Sequence, residues 1–230
     1  MLAWTGAAAL AVLLGFWAYR RSVDPLNAQQ ALDEGRRLVK ATRYAEAILS
    51  LDHALALKHD LPEAYLLRGE ANFGLGRPDP AIRDFSDAIR LRPDDAGAYV
   101  ERAEARLARQ DYTGVIEDCA AALERNPSLA VAYNLRGVAV RQSGRPRESL
   151  EDFSRAIKLA PDEANYFFQR AATYQKLGEH WLAIADLDQV IALKPDGPQA
   201  YYARALSRRM TGDGAGADQD RSRAFLLEGR

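Results

Sequence analysis

One cysteine, two methionines and three histidines are all that 230 residues hold of those types. Cys119, standing alone, forms no intrachain disulfide and cannot supply a multi-cysteine zinc or iron–sulfur site. His53, His59 and His180 are not arranged with carboxylates at ligand spacing and no H-E-x-x-H pattern occurs, so the sequence offers no metal site and no cofactor. A dominant sign of charge is missing too. Lys and Arg number 31 against 32 Asp and Glu, a formal net charge of -1, so no global basic field draws the chain to nucleic acid. What is there, 48% hydrophobic and 27% charged residues, excludes a wholly disordered chain and a polytopic membrane protein.

Long apolar runs are rare, with one exception at the start. From Leu2 to Tyr19 the chain passes eighteen residues without a charge, LAWTGAAALAVLLGFWAY, which as a helix would span roughly 27 Å of hydrocarbon. Trp4 stands near one end, Trp17 and Tyr19 near the other, and Arg20 and Arg21 follow, the arrangement of a segment held at both interfaces. A cleavable signal would want a basic n-region and small residues before the cut. Here the n-region is Met1 alone, and Phe16, Trp17 and Tyr19 crowd the cleavage position. Residues 1–21 are therefore expected to be a retained single-pass transmembrane anchor, with 22–27 as linker. Arg20 and Arg21 place residues 22–230 in the cytoplasm by the positive-inside rule, the alternative being a body on the periplasmic side. Ala7, Ala11 and Gly15 form a small-xxx-small face that would let two such helices approach.

The rest of the chain is periodic. Pro93, Pro127, Pro161 and Pro195 recur every 34 residues, and six repeats tile the chain without insertion: 28–61, 62–95, 96–129, 130–163, 164–197 and 198–230. Position 4 is Tyr65, Tyr99, Tyr133, Phe167 and Tyr201. Position 8 is small throughout, as Gly35, Gly69, Ala103, Gly137, Ala171 and Ala205. Position 20 is Ala47, Ala81, Val115, Ser149, Ala183 and Ala217, and position 27 is Ala54, Ala88, Ala122, Ala156, Val190 and Ala224. Position 24 brings bulk with Leu51, Phe85, Phe153 and Leu187. Spacings of three and four on each half, separated by Gly76, Gly144 or Gly178, describe two antiparallel helices per repeat.

This pattern of bulky 4, small 8, small 20, bulky 24, small 27 and proline 32 resembles the tetratricopeptide repeat (TPR) family over residues 28–230. The ends depart from it. The first repeat has Ala31 at position 4 and His59 at position 32, and the last has Arg221 at 24, Gly229 at 32 and three glycines in its turn. Terminal repeats have one unpaired face, so such residues suit caps. The resemblance implies an all-α fold: a right-handed superhelical TPR solenoid of six helix-turn-helix repeats, preceded here by the transmembrane helix.

Two further positions carry charge in phase. Position 7 is Arg68, Arg102, Arg136, Arg170 and Arg204; position 23 is Asp84, Asp118, Asp152, Asp186 and Asp220. The first repeat lacks both, with Glu34 and Ser50 instead. Their joint presence and joint absence predict a structural ion-pair ladder between first and second helices, suited to bidentate Arg–carboxylate geometry. No catalytic constellation is found. Cys119 falls on core position 24, Gly74-Leu75-Gly76 lacks the strand and lysine of a phosphate-binding loop, and paired carboxylates such as Asp94-Asp95 sit in ordinary repeat contexts.

In proteins of this family, first-helix positions 2, 5, 6, 9, 12 and 13 line a concave groove. Carried onto this sequence, the resemblance implies a partner-binding groove with Leu66, Glu70, Phe73, Glu101 and Glu104 on an acidic-rimmed stretch. A second, amide-rich and mildly basic stretch has Asn134, Leu135, Val138, Arg141, Asn165, Phe168, Gln169, Gln175, Lys176 and Tyr202. Position 5 is never lysine, which disfavours the clamp that some relatives use for chaperone tails. The expected partner is a protein or peptide segment with apolar side chains, its backbone fixed by amides. The expected function is a non-catalytic membrane-anchored scaffold, with an envelope-side assembly factor or a regulatory subunit of a membrane enzyme complex as the alternative.

Overall fold

A computed structural model describes residues 27–229. The predicted anchor, 1–21, and all of the linker except Asn27 lie outside the described residues, and Asn27 is already helical. No helix among the described residues is long and apolar enough to cross a membrane.

The described chain is all-α and TPR-like. Helix α1 covers 27–40, followed by α2 (Tyr44–Leu57), α3 (Pro62–Gly74), α4 (Pro78–Leu91) and α5 (Ala96–Ala108). Next come α6 (Tyr112–Arg125), α7 (Ala130–Gln142), α8 (Pro146–Leu159), α9 (Ala164–Lys176), α10 (His180–Leu193), α11 (Pro198–Met210) and α12 (Gly214–Glu228). Two compact units divide the chain between Ala105 and Arg106. In the first, α3 packs on α4 and on α2. In the second, α7 packs on α8, α9 on α10 and α11 on α12, and each pair touches the next.

Local chemistry sets the helix ends. Pro62, Pro78, Pro146 and Pro198 open helices, where a missing N–H costs nothing. Pro93, Pro127, Pro161 and Pro195 follow two residues after α4, α6, α8 and α10 and prevent their extension. Between the helices of each pair, position 15 adopts a left-handed conformation. Gly76, Gly144, Gly178 and Gly212 have φ of 71°, 89°, 76° and 88°, while Thr42 and Gln110 take 57° and 59° in their place. The bend is closed by bonds such as Arg77 N to Asn72 O at 2.9 Å, which satisfy the last carbonyls of the first helix.

The sixth pair is complete. The side chain of Asp213 accepts from Gly216 N at 2.8 Å and caps α12, so the three glycines do not unravel its turn. Arg221, at a position that is fully buried in the repeats before it, is exposed, as a terminal face requires.

Positions 8 and 24 meet inside the pairs. A Cβ on Gly35 would lie 2.6 Å from Leu51, one on Gly69 2.6 Å from Phe85, and one on Gly137 2.8 Å from Phe153. Leu51, Phe85 and Phe153 are all completely buried. The missing Cβ on one helix thus provides the volume that the large side chain on the other fills. Gly69→Ala gains about 1 kcal/mol of helix propensity and loses more to overpacking, about 1–3 kcal/mol. The expected result is a net loss of up to about 2 kcal/mol, seen as a lower urea midpoint in circular dichroism. Adding Phe85→Leu should restore part of it.

Candidate functional site

The arginines at position 7 face the second helices. Arg136 holds Asp152 through Nη2 at 2.6 Å and Nε at 3.0 Å. Arg170 holds Asp186 at 2.7 and 2.8 Å, and Arg204 holds Asp220 at 2.6 and 2.9 Å. In the first unit Arg68 Nη2 meets Asp84 at 2.6 Å, and Asn72 Nδ2 also donates to Asp84 at 3.0 Å. Asp84, Asp152, Asp186 and Asp220 are buried. Arg102 donates to Ser86 Oγ at 3.0 Å, and Asp118 meets Arg106 Nη1 at 3.0 Å. Bonds to the aspartates raise Arg136, Arg170 and Arg204 above the ordinary arginine range.

Each arginine also rests on an aromatic ring. Arg68, Arg136 and Arg204 lie 5.5, 5.5 and 5.6 Å from the ring centres of Tyr65, Tyr133 and Tyr201. Arg170 follows Phe167 and turns instead to Tyr174, at 5.9 Å. A third contact had no part in the sequence reading. Arg68 Nη1 reaches Asp52 at 2.6 Å, Arg170 Nη1 reaches Ser154 at 3.0 Å and Arg204 Nη1 reaches Asp188 at 2.6 Å. Those acceptors, like Ser86, occupy position 25 of the preceding repeat, so the arginine ties its own second helix to the one before. The signal is present at the same period, and Arg136 makes no such bond because position 25 is Ala120 there.

In the first unit the predicted groove residues divide. Leu66 and Phe73 are half-buried against Ala81, Phe85 and Ala105, so much of their surface goes into packing. The carboxylates stay near one another. Burial, with the like charges of Glu104 and Glu70, pushes Glu101 up to about 7, and burial also raises Glu70 and Glu104.

The second unit corrects two predicted groove positions. Leu135 and Asn134 each retain only 7% exposure, because close stacking of α7 against its neighbours covers them. Leu135 therefore belongs to the core. Asn134 keeps a buried Oδ1 with no hydrogen-bond partner. Val138 is half-buried. Asn165 and Phe168, with Val190, Lys194, Gln199 and Ala200, line a mainly apolar cavity of about 260 Å³. Gln169 Oε1 accepts from Arg141 Nη2 at 2.7 Å. Tyr202 is 38% exposed and its hydroxyl donates to Glu228 Oε2 at 2.9 Å.

Gln175 is committed to structure, donating to Ala203 O at 2.7 Å and Ser207 Oγ at 2.8 Å. A larger cavity of about 670 Å³ opens among α6, α7 and α8, walled by Arg136, Arg145, Arg155, Glu148, Glu151 and Asp152, and it contains none of the predicted groove residues. Among the described residues no group of three or more His, Cys, Asp and Glu side chains is placed to hold a metal ion.

A family model described as Tetratricopeptide repeat matches residues 32–84, 73–130 and 116–164, and a second of the same description matches 164–196. Among curated proteins, none matches the chain by sequence. Solved structures share the fold. MamA (41-end) from Desulfovibrio magneticus RS-1 superposes with a TM-score of 0.69 at 22% identity, covering 74% of this chain and 96% of that one. PilF of Pseudomonas aeruginosa gives 0.74 at 13% identity, covering 86% and 90%. YrrB, described as a TPR protein with an unusual peptide-binding site, gives 0.63 at 15% identity, covering 77% and 91%.

Removing one member of an Arg–Asp pair leaves a buried carboxylate without its counter-charge. Arg136→Met should cost about 2–4 kcal/mol, below the figure for a fully dry pair because the Arg136 side chain is 28% exposed. Arg136→Met with Asp152→Leu should recover most of that loss, and urea unfolding followed at 222 nm measures both.

Proposed function

Because the chain belongs to the tetratricopeptide repeat family, we propose that it is a non-catalytic protein-interaction scaffold that binds a segment of a partner protein along the first helices of its second unit. The observation that carries this reading is the cavity at Asn165 and Phe168, apolar in its walls and open beside polar termini. Tyr202 and Leu206, 38% and 56% exposed on α11, add apolar surface. The peptide-binding site described for YrrB, a protein of the same fold, supports a peptide or protein as the ligand class.

The scaffold works at a membrane, in this reading. Its support is the uncharged run from Leu2 to Tyr19, and Arg20 and Arg21 favour a cytoplasmic body. Attachment would raise the effective concentration of whatever the repeats collect. Orientation to the envelope side would make the same body an assembly factor or a regulatory subunit there.

Leu135 is unsuited to testing the face, since its replacement would disturb the core. Phe168→Gln with Tyr202→Ser instead removes apolar contact from half-buried and exposed positions. Crosslinking in intact membranes should recover at least about tenfold less partner with this variant, at unchanged helicity. Undiminished recovery would mean that another surface binds. Carbonate extraction tests the attachment: the full chain should stay with the membrane pellet and a chain beginning at Ser22 should leave it.

A further inference from the structure

The cavity among α6, α7 and α8 coincides with a gap in the arginine ladder. Nη1 of Arg68 and of Arg204 ends on the position-25 carboxylates of Asp52 and Asp188, each at 2.6 Å. Ser86 and Ser154 receive Arg102 and Arg170 in the same way, each at 3.0 Å. On α6 the residue at position 25 is Ala120, whose side chain ends at Cβ. Arg136 commits Nε and Nη2 to Asp152 at 3.0 and 2.6 Å, and its Nη1 has no acceptor among the described residues. The side chain is 28% exposed, against 23%, 21% and 14% for Arg68, Arg170 and Arg204, and it lines the cavity.

The first unit contains the same place with its acceptor present. Ile48, Asp52, Arg68 and Asp84, at the positions of Ile116, Ala120, Arg136 and Asp152, line a cavity of about 260 Å³. The counterpart in the second unit measures about 670 Å³, the size of a small-molecule site. Its Arg136 is set before any guest arrives. Two bonds to Asp152 and the Tyr133 ring, 5.5 Å away, hold the guanidinium plane, so the direction of the third donor is fixed as well.

The walls define the charge of the guest. Asp152 is matched by Arg136, and Glu148 by Arg145 at 3.3 Å. Arg155 and Glu151 also line the cavity, and neither makes an ion pair among the described residues. They stand one turn apart on α8, roughly 6 Å along the axis. A dicarboxylate would bring one end against Glu151, and a diamine would bring one end against Arg136 and Arg155. A molecule with a carboxylate at one end and an ammonium at the other satisfies all three groups.

We propose that this cavity is a site for a small zwitterion of the ω-amino acid class. The carboxylate accepts from Arg136 Nη1 the bond that Asp52 and Asp188 accept in their repeats and pairs with Arg155, while the ammonium pairs with Glu151. The site shares no residue with the cavity at Asn165 and Phe168, so neither reading depends on the other.

The test titrates the full chain, in detergent micelles, with 4-aminobutyrate, 5-aminopentanoate and 6-aminohexanoate, and with glutarate and 1,5-diaminopentane. Saturation-transfer NMR should show the best ω-amino acid binding about tenfold or more tightly than glutarate or the diamine, with affinity falling as salt rises. Ala120→Asp gives Arg136 a carboxylate from its own chain. It should raise the melting temperature and weaken binding about tenfold or more. Ala120→Ser, which copies Ser86 and Ser154, should weaken binding less. Glu151→Gln should reduce the preference over glutarate at an unchanged melting temperature.

Equal binding of all five probes overturns the proposal, and so does binding that survives Ala120→Asp, because the ligand then sits elsewhere. Tighter binding of glutarate overturns it in favour of a purely cationic site, and tighter binding of the diamine in favour of an acidic one. If no probe binds, the site is wrong whatever Ala120→Asp does to melting. Should Ala120→Asp fail to fold, Ala120→Ser carries the comparison, and undiminished binding in that variant overturns the proposal.

Discussion

Close approach of the two helices in a pair is the constraint on which the architecture rests. A glycine at position 8 removes the one atom that would hold them apart, and the position-24 side chain occupies the space. In the pairs α3–α4 and α7–α8 a phenyl ring fits against a bare backbone, and both rings are sealed from solvent. That fit fixes the rotation of each helix about its axis. Once the rotation is fixed, position 4 and position 7 point toward neighbouring helices.

The arginines exploit the same rotation. Stacked on the tyrosine one turn earlier, each guanidinium is held flat and oriented before it meets its aspartate. A planar fork can bind two carboxylate oxygens and still extend a third donor to the preceding repeat. Lysine, a point charge on a flexible stem, would not bridge three helices in this way. Half-burial matters here. The aspartates are dry enough for the bonds to be strong, while the arginines keep contact with water, which limits the desolvation penalty that a fully interior pair would carry.

Most of this was legible because it repeats. Positions 4, 7, 8, 20, 23, 24 and 27 recur at a fixed period, and the side chains at 8 and 24 announce each other by size. The position-25 contacts were equally periodic but chemically mixed, as Asp52, Ser86, Ala120, Ser154 and Asp188, so they read as a solvated helix face. Thr42 and Gln110 hide the left-handed residue that glycine reveals elsewhere, because the backbone bonds of the bend impose that conformation on whatever side chain is there. Leu135 and Asn134 defeated sequence reasoning for another reason. Helical periodicity reports which way a residue points, but not whether the adjacent repeat is close enough to cover it, and at α7 it is.

Two kinds of arginine therefore share one helix. Arg136 and Arg141 sit little more than a turn apart on α7, in similar degrees of burial, and the first has a dry carboxylate while the second has only amide, hydroxyl and π-electron partners. If charge were there merely to solubilise the face, the head group would extend into water, where it is cheapest to hydrate. Arg141 is instead drawn down to Gln169 on the next first helix, and the acceptors that hold it carry no charge to neutralise it. A pair such as Arg136 and Asp152 stabilises the fold because both members are present. A cation held only by neutral acceptors contributes less to the fold than such a pair does.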